Sequence, residues 1–324
     1  MVAKLTDVAQ LAGVSPTTVS RVINKKGYLS EKTIRNVEEA MREQGYKQNK
    51  LKRSLQGKSA KLVGLIFPTI NNIFYSELIG HLEKELFDRG YKTIICNSQH
   101  ESDKEREYLE MLAANQVDGI ISGSHNLGIQ DYDRVVAPII AFDRNLSPSI
   151  PIVSSDNFSG GILAAQTLQK AGCHNPLMIT GNDDSNSPTG LRQLGFTSIL
   201  DEAKVFKIAS DLSPVRKEME IRSILEKYKP DGIFVSGDAT AMLVWNVARS
   251  LKLSIPEDIK LIGYDGTSFI ESYYPQLTTI KQPLVEIARL LVDLLIDKIE
   301  GKKLPTTDYI LPITLLAGKK KKKR

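Results

Sequence analysis

The chain has 324 residues, 41% hydrophobic and 25% charged, with a formal net charge of +5; this is ordinary globular composition, which excludes wholesale disorder and suits a small head on a two-lobed body. Charge is unevenly spread: residues 1–58 hold twelve Lys or Arg against five Asp or Glu, and the last six residues are all basic, so residues 59–318 are left at −8. Two cysteines, four histidines without metal-ligand spacing, no secretory leader and no apolar run of bilayer length point away from a disulfide scaffold, a metal centre or a membrane protein; no cofactor, no metal, no membrane partner and a cytoplasmic location are expected.

Residues 5–24, LTDVAQLAGVSPTTVSRVIN, read as a helix, a tight turn and a second helix. Thr6 is placed to cap the first helix with its hydroxyl. Val8, Ala9 and Ala12 give a small apolar face, Gly13 ends it and Val14 plugs the corner. Ser15 caps the second helix and Pro16 takes its first position, where a missing N–H does no harm. Val19, Val22 and Ile23 pack back on the first helix, while Thr17, Thr18, Ser20, Arg21 and Asn24 form a slim, hydrogen-bonding face suited to a DNA major groove. Ser30 opens a third helix over about 31–44, with Ile34, Val37 and Met41 on one side and Tyr46 after it. A basic head on an acidic body fits a protein that grips a phosphate backbone with one end.

The stretch 49–57, NKLKRSLQG, has a capping residue in Asn49, a stop in Gly57, and Leu51 and Leu55 on one helical face. Two turns of helix are marginal in water, so this segment is expected to become helical on docking. Three basic residues, Arg53 among them, and Leu55 as a minor-groove wedge make DNA the expected surface; a plain flexible linker is the alternative.

From residue 61, short β-branched runs at 62–67, 92–96, 119–122, 139–142 and 152–155 alternate with helical patterns such as 76–90 and 104–115. The alternation restarts with helices at 161–171, 189–202, 215–227 and 239–251 and strands at 177–180, 205–209, 232–236, 260–264 and 277–281. An apolar helix, 284–299, and two strand-like runs, 309–311 and 313–316, close the body before a basic tail at 319–324, expected to be solvated. Strands alternating with helices imply parallel sheets covered on both faces, and two such units imply two lobes with a cleft.

Ligands of open α/β sheets bind beyond the carboxyl ends of the strands. That rule selects Asn71, Phe74 and Tyr75, Asp143 and Arg144, Asp156 and Asn157, Arg192, Gly237 and Asp238, Asp265 and Gln282. Carboxylates, guanidinium groups and an amide beside an aromatic face suit a polyhydroxylated ligand. Arg144 and Arg192 leave a phosphorylated sugar open, or are structural ion-pair partners. Asp156 and Asp238 have a second reading as helix caps, and Trp245 reads as core. Asp143 and Asp265 as a glycosidase pair, or a transport-type sugar-binding protein, are the competing functions; no nucleophile motif or phosphate-binding Gly-rich loop accompanies the pair.

The segment 5–24 with LSEKT, Tyr46 and the Asn49–Leu55–Gly57 hinge resembles the headpiece of the LacI/GalR family of bacterial repressors, and the likeness runs over the whole chain. Within the family it is most similar to the branch that governs sucrose operons in Gram-positive bacteria. The resemblance implies an all-α helix-turn-helix headpiece on an α/β, two-lobed periplasmic-binding-protein-like body with parallel sheets and three crossovers. The headpiece and hinge would take residues 1–58 and the body 59–318, its first lobe about 61–156 and 282–310 and its second about 157–281 and 311–318. It implies base reading by Pro16, Thr17 and Arg21, contacts to base or backbone from Ser15, Thr18, Ser20, Asn24 and Tyr28, and an intercalating Leu55; Thr6, Asn49 and Arg53 complete the DNA-facing set. Asp143, Arg192 and Asp265 match effector-contacting positions, and Gly237 stands where the lac-type repressor has a sugar-binding Asn. Gln48 and Lys52 depart from the family's usual Pro and Ala. The implied partners are double-stranded operator DNA, a small sugar or sugar phosphate that releases it, and a second copy of the chain; a regulator working with a protein co-effector is the variant reading.

Overall fold

The computed structural model describes residues 4–23, 27–45, 59–124, 126, 130–182, 185–210 and 212–319. Two compact units result, Met1–Ala60 and Lys61–Arg324.

The first unit holds α1 (Leu5–Leu11), α2 (Pro16–Ile23) and α3 (Glu31–Glu43). Val8, Ala9, Val19, Val37 and Ala40 are its buried core, with Val14, Val22, Ile23 and Met41 packed around it. The first cap differs from expectation. Thr6 lies inside α1, and the Asp7 carboxylate accepts the Lys4 N–H at 2.8 Å instead; a carboxylate three residues into a helix meets both an orphan amide and the positive helix end. Gly13 leaves α1 with φ +64°, which only glycine adopts at no steric cost.

The second unit contains β1 (Leu62–Phe67), α4 (Ile73–Asp88), β2 (Lys92–Asn97), α5 (Ser102–Ala114), β3 (Gly119–Ser122), β4 (Ile139–Phe142) and β5 (Ile152–Ser155). It continues through α6 (Asn157–Lys170), β6 (Pro176–Thr180), α7 (Pro188–Thr197), β7 (Lys204–Lys207), α8 (Pro214–Tyr228), β8 (Gly232–Val235), α9 (Asp238–Ser250) and β9 (Lys260–Asp265). It ends with α10 (Ser268–Tyr273), β10 (Thr278–Lys281), α11 (Leu284–Ile299), β11 (Asp308–Leu311) and β12 (Thr314–Leu316). One sheet has the order β11-β5-β4-β3-β1-β2 and the other β12-β10-β9-β8-β6-β7. Among the described residues every strand pairing is parallel except β10 with β12.

The chain passes between the sheets after β5, after β10 and between β11 and β12, which gives the three crossovers. Each sheet is covered on both faces. Leu78, Leu82, Leu86, Leu291 and Leu295 from α4 and α11 seal one face of the first, and Leu109, Leu112 and Tyr132 the other. The second is sealed by Ile221, Leu225 and Val244 on one side and Ala164, Leu168 and Phe196 on the other. Helix α4 starts at Ile73 rather than 76, because the Asn72 side chain accepts the Phe74 N–H at 2.8 Å and starts the helix earlier. Helix α10 was not expected; the Thr267 hydroxyl caps it and Ile270 anchors it.

A groove-reading helix and a charged cleft between the lobes

In the head, α2 presents Ser15, Pro16, Thr17 and Arg21 exposed, while Thr18 and Ser20 are half-buried. Ser15 Oγ accepts the Thr18 N–H at 3.1 Å and pairs with the Thr18 hydroxyl at 2.9 Å, so these two hold the helix start together. Tyr28 stands fully exposed and Thr6 is exposed on α1. The expected DNA contacts Asn24, Asn49, Arg53 and Leu55, the hinge helix 49–57 and Tyr46 lie outside the described residues.

In the body, the carboxyl ends of both sheets face a cavity of about 320 Å³, within the usual range for small-molecule sites. Phe74, Asp143, Arg144, Arg192 and Asp265 line it, with Tyr75 and Gly237. Arg192 is 5% exposed and held on three sides. Its Nε donates to Asn157 Oδ1 at 2.8 Å and its Nη1 to the Ser236 carbonyl at 2.6 Å, and the guanidinium lies 3.6 Å over the Tyr264 ring. Asn157 Nδ2 donates to Asp143 Oδ1 at 3.1 Å and to the Ser155 carbonyl at 3.0 Å. Gln282 Nε2 donates to Asp265 Oδ1 at 2.9 Å, and its Oε1 accepts the Ser155 hydroxyl at 2.6 Å. Both cleft carboxylates are thus tied, through Asn157 and Gln282, to the first two crossings between the lobes.

Both also sit on unusual backbone. Asp143 has φ +63° and Asp265 φ +127°, conformations that strain a residue with a side chain and persist where the surroundings enforce them. Burial raises the Asp143 carboxyl above the ordinary value, against the pull of Arg192 and Asn157. Burial pushes Asp265 up to about 6, opposed by Arg192 and the Gln282 amide. Burial also raises the Tyr75 hydroxyl, with Asp143 adding to it. Such groups gain from a ligand whose hydroxyls donate to carboxylates kept from water.

Four expected effector residues lie off the cavity lining. Asn71 is exposed on the loop before α4 while its neighbour Asn72 faces the cleft. Asp156 is a cap, accepting the Ser159 N–H at 3.0 Å. Asp238 is wholly buried and accepts the Gly266 N–H and the Thr279 hydroxyl, both at 2.8 Å; burial, then the charge of Asp265, keeps its carboxyl well above the usual range. Gln282, 1% exposed, acts behind Asp265 rather than in the cavity. Conversely, Asn72, His100, Thr180, Ser210, Lys217 and Ser236 line the cleft without having been singled out. Thr180 and Ser236 obey the strand-end rule and were legible in principle; Lys217 comes from α8, and nothing in its local sequence marks it. Trp245 packs on the second lobe's core. Both cysteines are free thiols, Cys96 buried. Among the described residues no helix is long and apolar enough to cross a membrane.

Residues 4–49 match the profile of the bacterial regulatory proteins of the lacI family, and residues 165–319 match a periplasmic binding protein-like domain. The chain is 67% identical to the sucrose operon repressor of Streptococcus mutans over 98% of its own length and 99% of that protein's. It resembles a lac repressor dimer bound to operator and the anti-inducer ONPF, with a TM-score of 0.82 at 25% identity over 98% of each chain. It also resembles a LacI-type regulator of Alkaliphilus metalliredigens complexed with D-xylulofuranose, with a TM-score of 0.71 at 31% identity over 79% of this chain and 97% of that one.

Proposed function

The chain belongs to the LacI family of bacterial regulatory proteins, and we propose that it represses a sucrose-utilisation operon in the cytoplasm as a homodimer released from its operator by a sugar. It is a DNA-binding repressor and not an enzyme, as its full-length relatives are. Asp143 and Asp265 therefore bind hydroxyls rather than cleave a glycosidic bond. The observation that carries the effector reading is the cleft lined by Asp143, Arg192 and Asp265 with an aromatic face from Phe74 and Tyr75. The sucrose assignment draws on three relatives named sucrose operon repressor, at 67%, 53% and 50% identity.

The mechanism runs from the cavity outward. A sugar's hydroxyls donate to Asp143 and Asp265, and its ring packs on the aromatic face. Because Asn157 and Gln282 join those carboxylates to the crossings, occupancy biases how one lobe sits on the other. In the dimer, the two headpieces read a pseudo-palindrome with Pro16, Thr17 and Arg21 in the major groove. A coupling of about 1–3 kcal/mol between the sites suffices for release.

The test is a gel shift on palindromic operator DNA titrated with sucrose, its component sugars and their phosphates. Release by one of them is expected. Asp265→Ala should bind operator normally and no longer respond; a normal response would remove Asp265 from the site.

A further inference from the structure

The paired carboxylates and Arg192 occupy one side of the cleft. Asp143 follows β4 and Asp265 follows β9, and these strands lie beside β5 and β10, where the chain crosses between lobes. The other side lies above β6 and the outer strand β7 of the second sheet, and its chemistry differs. Lys217 reaches the cavity from α8, and among the described residues its ammonium meets one acceptor, the Ser210 carbonyl oxygen at 2.8 Å. Thr180, at the end of β6, is 4% exposed and lines the same cavity, and its buried hydroxyl oxygen has no partner among the described residues. Helices α7 and α9 both open on the cavity with their first turns, through Thr189 and Thr240; a helix N-terminus carries partial positive charge. The carboxylates that line the cavity, among the described residues, are Asp143 and Asp265 alone.

We propose that this side of the cleft is a phosphate subsite, so that the effector is a phosphorylated sugar. Its hydroxyls meet Asp143 and Asp265, and its phosphate meets the Lys217 ammonium and the Thr180 hydroxyl. The proposal deepens, and rests on, the sugar-effector reading above. Arg192, the arginine that sequence alone suggests for a phosphate, is already committed to Asn157, to Ser236 and to the face of Tyr264. It also feels both carboxylates, and a dianion placed there would face them at short range. Lysine serves a phosphate as a point charge with three donors, and a buried hydroxyl without a partner is costly until a ligand arrives.

The experiment is titration calorimetry of the full chain with three matched pairs: sucrose and sucrose 6-phosphate, fructose and fructose 6-phosphate, glucose and glucose 6-phosphate, with inorganic phosphate as a further arm. In at least one pair the phosphate ester should bind more than tenfold tighter than its parent sugar. Lys217→Gln and Thr180→Val should each cut that ratio severalfold, and retained operator binding reports that the variants are folded. Equal affinity within every pair, or a preference untouched by both substitutions, overturns the phosphate subsite while leaving the sugar reading standing. Inorganic phosphate binding as tightly as the best ester overturns it too, by showing an anion site that ignores the sugar. If no sugar or ester binds or releases operator, the sugar reading falls and the subsite with it.

Discussion

Asp265 concentrates the tension of the cleft in one residue. Its φ of +127° aims the carboxylate at the cavity, and Gly266 follows at φ +63°. Burial pushes the carboxyl up to about 6, so the folded protein holds that proton more tightly than the unfolded chain does. Stability from this group is therefore greatest at low pH and falls as pH rises from the ordinary carboxylate value through about 6. Asp265→Asn removes the charge and also relieves Asp238, whose own upward shift includes the charge of Asp265. By calorimetry, the variant should melt a few degrees above the parent at pH 7.5, and the gap should close toward pH 5; a gap independent of pH would contradict the burial argument. Sugar affinity of the parent should fall as the pH is lowered through about 6, because protonation of Asp265 removes an acceptor.

On the reading helix, Arg21→Ala should weaken specific operator binding by about 1–3 kcal/mol, measured by gel shift against scrambled DNA. An equal loss on both DNAs would make Arg21 a phosphate contact and not a base reader.

At the scale of elements, the placement of Arg192 depends on two helices touching through glycines. A Cβ on Gly161 of α6 would sit 2.0 Å from the Arg192 carbonyl oxygen of α7, and one on Gly195 of α7 would sit 2.0 Å from the Phe158 carbonyl oxygen of α6. Backbone cannot retreat as a flexible side chain can. Gly161→Ala should therefore destabilise the body by about 1–3 kcal/mol and carry Arg192 away from Asn157. Urea unfolding and sugar titration would show both effects; wild-type stability would mean that α7 shifts freely. Gly237 behaves differently: a Cβ there would meet only Asp265 Oδ2, at 3.8 Å. The cavity therefore has room for a side chain beside Gly237.

Across the whole body, the lobes are joined by more than their three crossings. The Glu77 carboxylate on α4 accepts the Ser268 N–H at 2.9 Å and the Ser268 hydroxyl at 2.6 Å, bracing α10 of the second lobe from the first. Ile73, also on α4, packs into the second lobe's core. These contacts lie apart from the carboxylates yet set the same inter-lobe angle. Glu77→Ala should lower sugar affinity about three- to tenfold, the net worth of one typical intramolecular hydrogen bond, with no change in the pH dependence set by Asp265. Unaltered affinity would show that the brace does not bias the lobes.

By itself, the sequence determined what depends on near neighbours. The β-branched runs marked the strands, because two-sided burial asks for continuous apolar residues, and Ser15-Pro16 marked the start of α2, because capping is local. The strand-end rule reached Asp143, Arg192 and Asp265 for a similar reason: a strand's direction fixes which end meets the cleft. Only the tertiary structure decided which of several Asp residues lines the cavity. Asp238 is taken by Thr279 and Gly266, Asp156 turns to its own helix, and Gln282 stands behind Asp265. It alone brought Lys217 to the cavity and Glu77 to Ser268. Those meetings depend on how sheets stack and helices cross, which local periodicity does not encode.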